Sequence, residues 1–496
     1  MRNRSWAGLG LLIAATLGCV GSPTQRIEPA PPGDRARGLH NQAVEEAKLG
    51  HWEEARELFQ KSLEASERTG DLKRQGATLH ELALLEVEQG HPEEALKLFK
   101  ESLNVAKLSG NGKGQAATLH ELAILEMEQG HLEEARQLFQ ESLEVAKRIG
   151  YGKGKAATLH ELGVIAAEQG HVEEARKLFQ ESLELKRRQL NGPRDLRQIV
   201  TLYQLSLLEE RQGRLEDARA LFQESLELAR RIGVVQRESE ILHQLASLEA
   251  RHGRLKEARK LYQESLDIAE RGDDLRGQAA TLHQLGALEG QKGSVEKARK
   301  LFQKSVELST RNGNAKGKAS ALRALAALET AAGGVEEARK LFQQSLEISR
   351  RIKDIKGEAM TLDGVAALEA AANRVEARKL YQRSLELKKS VGDASGEVVT
   401  RIHLAGLDFS DGRPGDARQA LEQALSRARE IGHPEYQARA LGWLGLVDRA
   451  EGQLAAARER WTKALEIGNN LQLPAAIEEH TQQLASIVAL ENVGVK

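Results

Sequence analysis

Ala77-Thr-Leu-His-Glu-Leu-Ala-Leu-Leu-Glu-Val-Glu-Gln-Gly90 sets Leu79, Leu82 and Ala83 at the i, i+3, i+4 spacing of an amphipathic helix. Gly90 is placed to end it, because glycine accepts the left-handed conformation that closes a helix C-terminus. His91-Pro92-Glu93-Glu94 then opens a second helix, with proline in the first turn and acids at the positive end of the dipole. Ala95, Leu98, Phe99, Ser102 and Leu103 continue its apolar stripe. Small residues at Ala83 and Ala95 let two helices approach closely, and Phe99 fills the space beside them. Ser109 to Gly114 closes the unit. The stretch therefore predicts a helical hairpin.

Outward from this hairpin the same pattern returns. Gly50, Gly90, Gly130 and Gly170 are spaced by 40 residues, and Ala135 and Phe139 repeat Ala95 and Phe99 after Gly130. The series resumes at Gly213, Gly253, Gly293 and Gly333 and runs on through Asn373, Gly412 and Gly452, giving eleven units. An insertion around Leu190-Asn191-Gly192-Pro193 lengthens one step. Pro474 to Leu490 reads as a capping helix, covering apolar surface that the last hairpin would leave bare. Such an array is expected of a 496-residue chain with 3% aromatic residues and only 9 prolines. Charged residues make up 29% but balance to a net −1, a composition that offers no large basic field for a nucleic-acid backbone, so nucleic acid is not an expected partner.

Leu82-Ala83, Gly90, Ala95, Phe99 and Leu103 stand at the offsets of the tetratricopeptide motif, and the chain resembles that family from about residue 36 to 468. The aromatic returns as Phe59, Phe139, Phe179, Phe222, Tyr262, Phe302, Phe342, Tyr381 and Trp461, with Leu421 in its place once. Departures are Leu79 for the usual tryptophan, Glu86 for the usual tyrosine, and a longer unit. The resemblance implies an all-α fold: a right-handed α-solenoid over residues 35–470, with a capping helix and tail over 471–496. It also implies that first helices line a concave face where bound peptides lie. The inward positions expected from the motif are His80, Leu84, Glu88, His120, Ile124, Glu128, His160, Val164 and Glu168. Further along they become Tyr203, Arg211, His243, Arg251 and His283, and later small residues such as Ala327 and Ala367 flanked by Arg323 and Asp363. Other proteins or peptide segments are the expected partners. The chain is expected to be a scaffold or adaptor rather than an enzyme, with a sensor for a peptide or small molecule as the alternative.

The N-terminus reads as an address. Arg2 and Arg4 precede an apolar run from Trp6 to Leu17, too short for a transmembrane helix. Gly18-Cys19 follows, resembling the lipobox of bacterial lipoproteins, although Leu17 sits one place late. This implies a signal peptide over residues 1–18, a lipidated Cys19, and a bacterial cell-envelope location, anchored at the periplasmic side or outer membrane. Residues 19–34 carry Pro23, Pro29, Pro31 and Pro32, a stiff tether reaching on the order of 45 Å at ~3.1 Å per residue. Cys19 is the single cysteine, so no intrachain disulfide or thiolate metal site can form.

Other features invite chemistry. Gly110 to Gly114 and Gly150 to Gly154 are Gly-rich with lysine, but they follow helices and lack the G-K-[ST] ending of a phosphate loop. The row His40, His80, His120, His160, His243 and His283 suggests a metal ladder. A shared zinc needs nitrogens ~2.0–2.1 Å from one ion, however, and helices pack ~8–10 Å apart. No cofactor or metal is expected. His51, His91, His131 and His171 read as exposed turn residues. Glu86, Glu126, Glu209, Glu249, Glu289, Glu329 and Glu369 recur beside the buried stripe, and Arg136, Arg176, Arg219, Arg259, Arg299 and Arg339 recur in second helices. Pairing and simple solvation both fit them.

Overall fold

The computed structural model describes residues 32–189, 196–471 and 473–494. Among the described residues there are 23 helices and no strand. The lipobox, Cys19 and most of the tether lie outside the described residues, as does the insertion at Leu190–Pro193. The chain divides into two units, residues 1–212 and 213–496.

The first unit holds α1 (Pro32–Lys48), α2 (Trp52–Thr69), α3 (Leu72–Gln89), α4 (Pro92–Leu108) and α5 (Gly112–Gln129). It continues with α6 (Leu132–Arg148), α7 (Gly152–Glu168), α8 (Val172–Gln189) and α9 (Leu196–Arg211). The second unit begins with α10 (Leu215–Ile232), α11 (Val235–Arg251), α12 (Leu255–Arg271), α13 (Leu275–Gln291) and α14 (Val295–Arg311). There follow α15 (Ala315–Ala331), α16 (Val335–Arg351), α17 (Ile355–Glu369), α18 (Arg374–Ser390) and α19 (Ala394–Ser410). It ends with α20 (Pro414–Glu430), α21 (Pro434–Ala450), α22 (Leu454–Asn470) and α23 (Pro474–Gly494). The first helix starts at Pro32, inside the stretch read as tether, with proline where a helix tolerates it best.

Each hairpin closes as its sequence directs. Gly90 takes φ +81°, and the amides that follow α3 return to carbonyls of its last turn. The Gly-rich connector after α4 is shorter than the sequence suggested: α5 already starts at Gly112, and the Asn111 side chain caps it by accepting from the Gly114 amide. A Cβ at Gly114 would stand 2.6 Å from the Asn111 amide nitrogen, which explains the glycine. That amide is therefore engaged by a cap, not free for a phosphate.

Packing within a hairpin follows the aromatic row. Phe139 is fully buried among Ala123, Ala135, Leu143, Leu159 and Leu162, and the equivalent Phe99 sits with Ala83, Ala95, Leu122 and Leu125. A polar spine runs through these apolar layers. Ser102 donates to the Gly76 carbonyl at 2.9 Å, Ser142 to Ala116 at 2.8 Å and Ser182 to Ala156 at 2.7 Å, tying second helix to first helix. Each serine is buried, so these bonds meet a requirement that water cannot. In both units, successive first helices touch, as α3 touches α5 and α5 touches α7. No pair of successive second helices among the described residues makes comparable contact. First helices therefore form the inner, tighter side of each stack.

One contact in the second unit is long in sequence. The Leu471 side chain lies against the turn at Gly213, where an added Cβ would stand 3.1 Å from it. The Leu471 main chain also reaches the His252 ring. Among the described residues no helix is long and apolar enough to cross a membrane.

Candidate functional site

The inner side of the first unit is built by α3, α5 and α7, so the expected groove residues can be placed one by one. Leu84, Ile124 and Val164 are half-buried, while Glu88, Glu128 and Glu168 are exposed one turn further on. These six thus comprise a half-buried aliphatic set and an exposed acidic set on successive first helices. Tyr203, His243 and His283 are half-buried; Arg211 and Arg251 are exposed at the ends of α9 and α11.

The histidine row has a structural occupation. Nδ1 of His80 lies 3.1 Å from Thr118 Oγ1, His120 3.2 Å from Thr158, and His160 3.0 Å from Thr201. His243 makes the same tie to Thr281 at 3.1 Å. Each ring also meets the aromatic of its own hairpin, as His120 meets Phe139 edge-on at 5.3 Å between centroids. The row therefore links each hairpin to the next. Burial pushes the imidazoles of His80, His120 and His243 down to about 4, and that of His160 well below its ordinary value, so all stay neutral at physiological pH. Their ring nitrogens do not come within reach of a common ion. The single metal-sized grouping among the described residues is the half-buried Glu46 with the exposed His51 and Glu54.

Sequence reading missed the residues directly after these histidines. Glu81, Glu121 and Glu161 form a carboxylate row on the inner wall. Burial raises Glu81 to about 7, against the opposing pull of Lys48. Glu121 rises to about 8, through burial first and then the like charges of Glu161, Glu81 and Glu128. Glu161 rises to about 7 by burial, moderated by Lys186. The recurring His-Glu pair carried this signal, but only the stacking of α3, α5 and α7 brings the three carboxyls together. The same position is Gln204, Gln244 and Gln284 in the next hairpins, so the acidic row ends with α7.

The glutamate and arginine rows do pair, and across hairpins. Arg56 meets Glu86 at 2.9 Å, Arg176 meets Glu209 at 2.7 Å, and Arg299 meets Glu329 at 2.6 Å. Arg259–Glu289 and Arg339–Glu369 repeat the bond at 3.1 and 2.9 Å. Where Leu96 replaces the arginine, Glu126 takes His131 instead at 2.7 Å; where Ala166 replaces the glutamate, Arg136 turns to Glu174. The turn histidines are thus exposed but engaged: His51 and His91 bond Glu46 and Glu86 at 2.7 and 2.8 Å.

Two hairpins carry a buried lysine where the others have serine, alanine or, in the last, glycine. Lys186, 5% exposed, donates to Thr201 Oγ1 at 2.6 Å beside His160. Lys388, 2% exposed, bonds Thr400 and pairs with Asp363, which occupies the histidine position of its own hairpin.

A family model described as Tetratricopeptide repeat matches residues 34–107 and, in overlapping pieces, 114–351, more than half of the chain. No curated protein matches the sequence. Among solved structures, yeast Tom70 aligns at 13% identity over 93% of this chain and 97% of its own, with a TM-score of 0.48. The quorum sensor NprR from B. thuringiensis aligns at 15% over 73% and 99%, with a TM-score of 0.49. BtubC from P. vanneervenii aligns at 19% over 45% and 92%, with a TM-score of 0.41.

Proposed function

We propose, since the chain belongs to the tetratricopeptide-repeat family, that its stacked hairpins hold segments of other proteins along the inner face. One observation carries this reading. The residues that make the stack recur almost unchanged, while the inner face alters in an ordered way. The first unit places Leu84, Ile124 and Val164 with acids at these positions, and the second places Ala327 and Ala367 with Arg323 and Asp363. An inner wall of half-buried aliphatic side chains edged by carboxylates suits an extended segment that offers both apolar and polar groups. Nothing in this arrangement sets up a nucleophile with its base.

A photo-crosslinking amino acid at Ile124, compared with one at Glu141 on the exposed side of α6, tests the reading in cells. Discrete crosslinked partners at Ile124 and none at Glu141 are expected. Equal yields at both positions, or shifts in Tm only with small metabolites, would favour a sensor over a scaffold.

The tether belongs to the same proposal. A lipid-bearing Cys19 would fix the holding surface at a bacterial envelope membrane, where a second signal or second acyl chain makes attachment stable. Cys19→Ala should move the protein from the membrane to the soluble envelope fraction. An unchanged distribution would remove lipidation from the account.

A further inference from the structure

We infer that the inner wall formed by α3, α5 and α7 is a strip for the basic side chains of an extended polypeptide, their cationic groups seated against Glu81, Glu121 and Glu161 and one reaching Nε2 of His160. The inference rests on the holding reading above and names the chemistry of what is held.

Three observations converge. First, Glu81, Glu121 and Glu161 lie in the wall, and among the described residues no hydrogen bond or ion pair engages the first two, while Glu161 has the His160 ring at 4.0 Å. By contrast, the buried carboxylates of Glu209 and Glu249 each pair with an arginine. Second, His160 is 4% exposed and its Nδ1 is occupied by Thr201, but its Nε2 is buried with no partner. That nitrogen lies 4.0 Å from Glu161 Oε1, so a buried polar atom with no protein partner borders the acidic row. A donor placed between them would satisfy both. Third, the carboxylates do not gather closely enough for one metal ion. They are spread along the stack, one per hairpin.

Spacing selects the occupant. Neighbouring packed helices stand ~8–10 Å apart, and an extended chain advances ~3.3–3.6 Å per residue, so a basic residue at every third position matches one carboxylate per hairpin. Other charges frame the strip. Lys48 acts on Glu81 and Lys186 on Glu161, while Glu88 and Glu128 stand one turn along the same wall. Lys186, itself buried, acts also on His160 and His120, and with two lysines against five carboxylates the strip is acidic once they ionise. Because the wall holds these carboxyls partly protonated near neutrality, a bound cation expels protons, and binding strengthens as pH rises.

The probe is a capped peptide with lysine at every third position and glycine between, titrated into the full chain by calorimetry. The same peptide with glutamate for lysine is the control, and spermine a separate arm. Affinity for the lysine peptide should rise at least about tenfold from about pH 6 to about pH 9, where lysine still carries its charge. Glu121→Gln and Glu161→Gln, with unchanged circular dichroism, should each weaken binding about tenfold at the higher pH and flatten the pH dependence. Equal binding of the glutamate peptide, indifference to both variants, or binding of spermine with none of the peptide would overturn the inference. If partners still crosslink at Ile124 while the probe ignores Glu121, this inference fails and the holding reading stands. If neither occurs, both fall.

Discussion

Glu121 shows how a single residue can report on the wall it lines. Its folded value of about 8 lies above the ordinary 4.5, chiefly through burial. The sign follows: the folded form binds the proton more tightly than the unfolded chain, so the stabilising contribution is complete below about pH 4.5 and is lost as pH rises to about 8. Glu81 and Glu161 act in the same direction. Glu121→Gln should therefore raise Tm by about a few degrees at about pH 8 and change it little at about pH 4, read by thermal circular dichroism. A second residue-scale outcome concerns the ties between hairpins. Thr118→Val removes the partner of both His80 Nδ1 and Ser102 Oγ, and should cost about 1–3 kcal/mol in chemical denaturation. The histidine row was legible as a row; its occupation was not. Sequence alone places His120 on the inner helix, but only the stacked structure shows Thr158, from the following hairpin, closing on its Nδ1.

At the scale of helices and their pairs, most of the fold could be read in advance, because the 40-residue recurrence marks the turn that joins the two helices of each hairpin, although it misplaced starts such as that of α5 at Gly112. Gly90, Ala95 and Phe99 occupy the turn, the close approach and the core as their residue types required. Phe139→Ala should cost ~3–5 kcal/mol, since a fully buried ring is lost from a layer that also seats His120. The arginine–glutamate ladder was left open in the sequence because a helical wheel gives the face of a residue, not the neighbour waiting there. Lys388 was missed altogether, as one long residue at a position that is otherwise serine or alanine in its neighbours. Lys388→Met alone strands the Asp363 carboxylate and should cost ~3–5 kcal/mol, whereas adding Asp363→Leu should recover most of that loss. A double-mutant cycle by urea denaturation reads both values.

At the scale of the whole molecule, nearly every contact joins a hairpin to its neighbours, so stability should be distributed rather than all-or-none. In the Phe139→Ala chain, hydrogen exchange should quicken first in α5 to α8 and only later in α1 and α2; uniform quickening would contradict this. The acidic wall is likewise a property of assembly, since three carboxyls each 40 residues apart become neighbours only when their hairpins stack. The Leu471 contact breaks the nearest-neighbour rule within the second unit, joining it to turns at Gly213 and His252 more than two hundred residues earlier. In mechanical terms, a stack held only from one layer to the next stretches like a spring that can be peeled from its end. With Leu471 latched, tension applied at α23 is shared at once with the start of the unit. The second unit should resist extension as a clasped ring does, until the latch gives way in a single step.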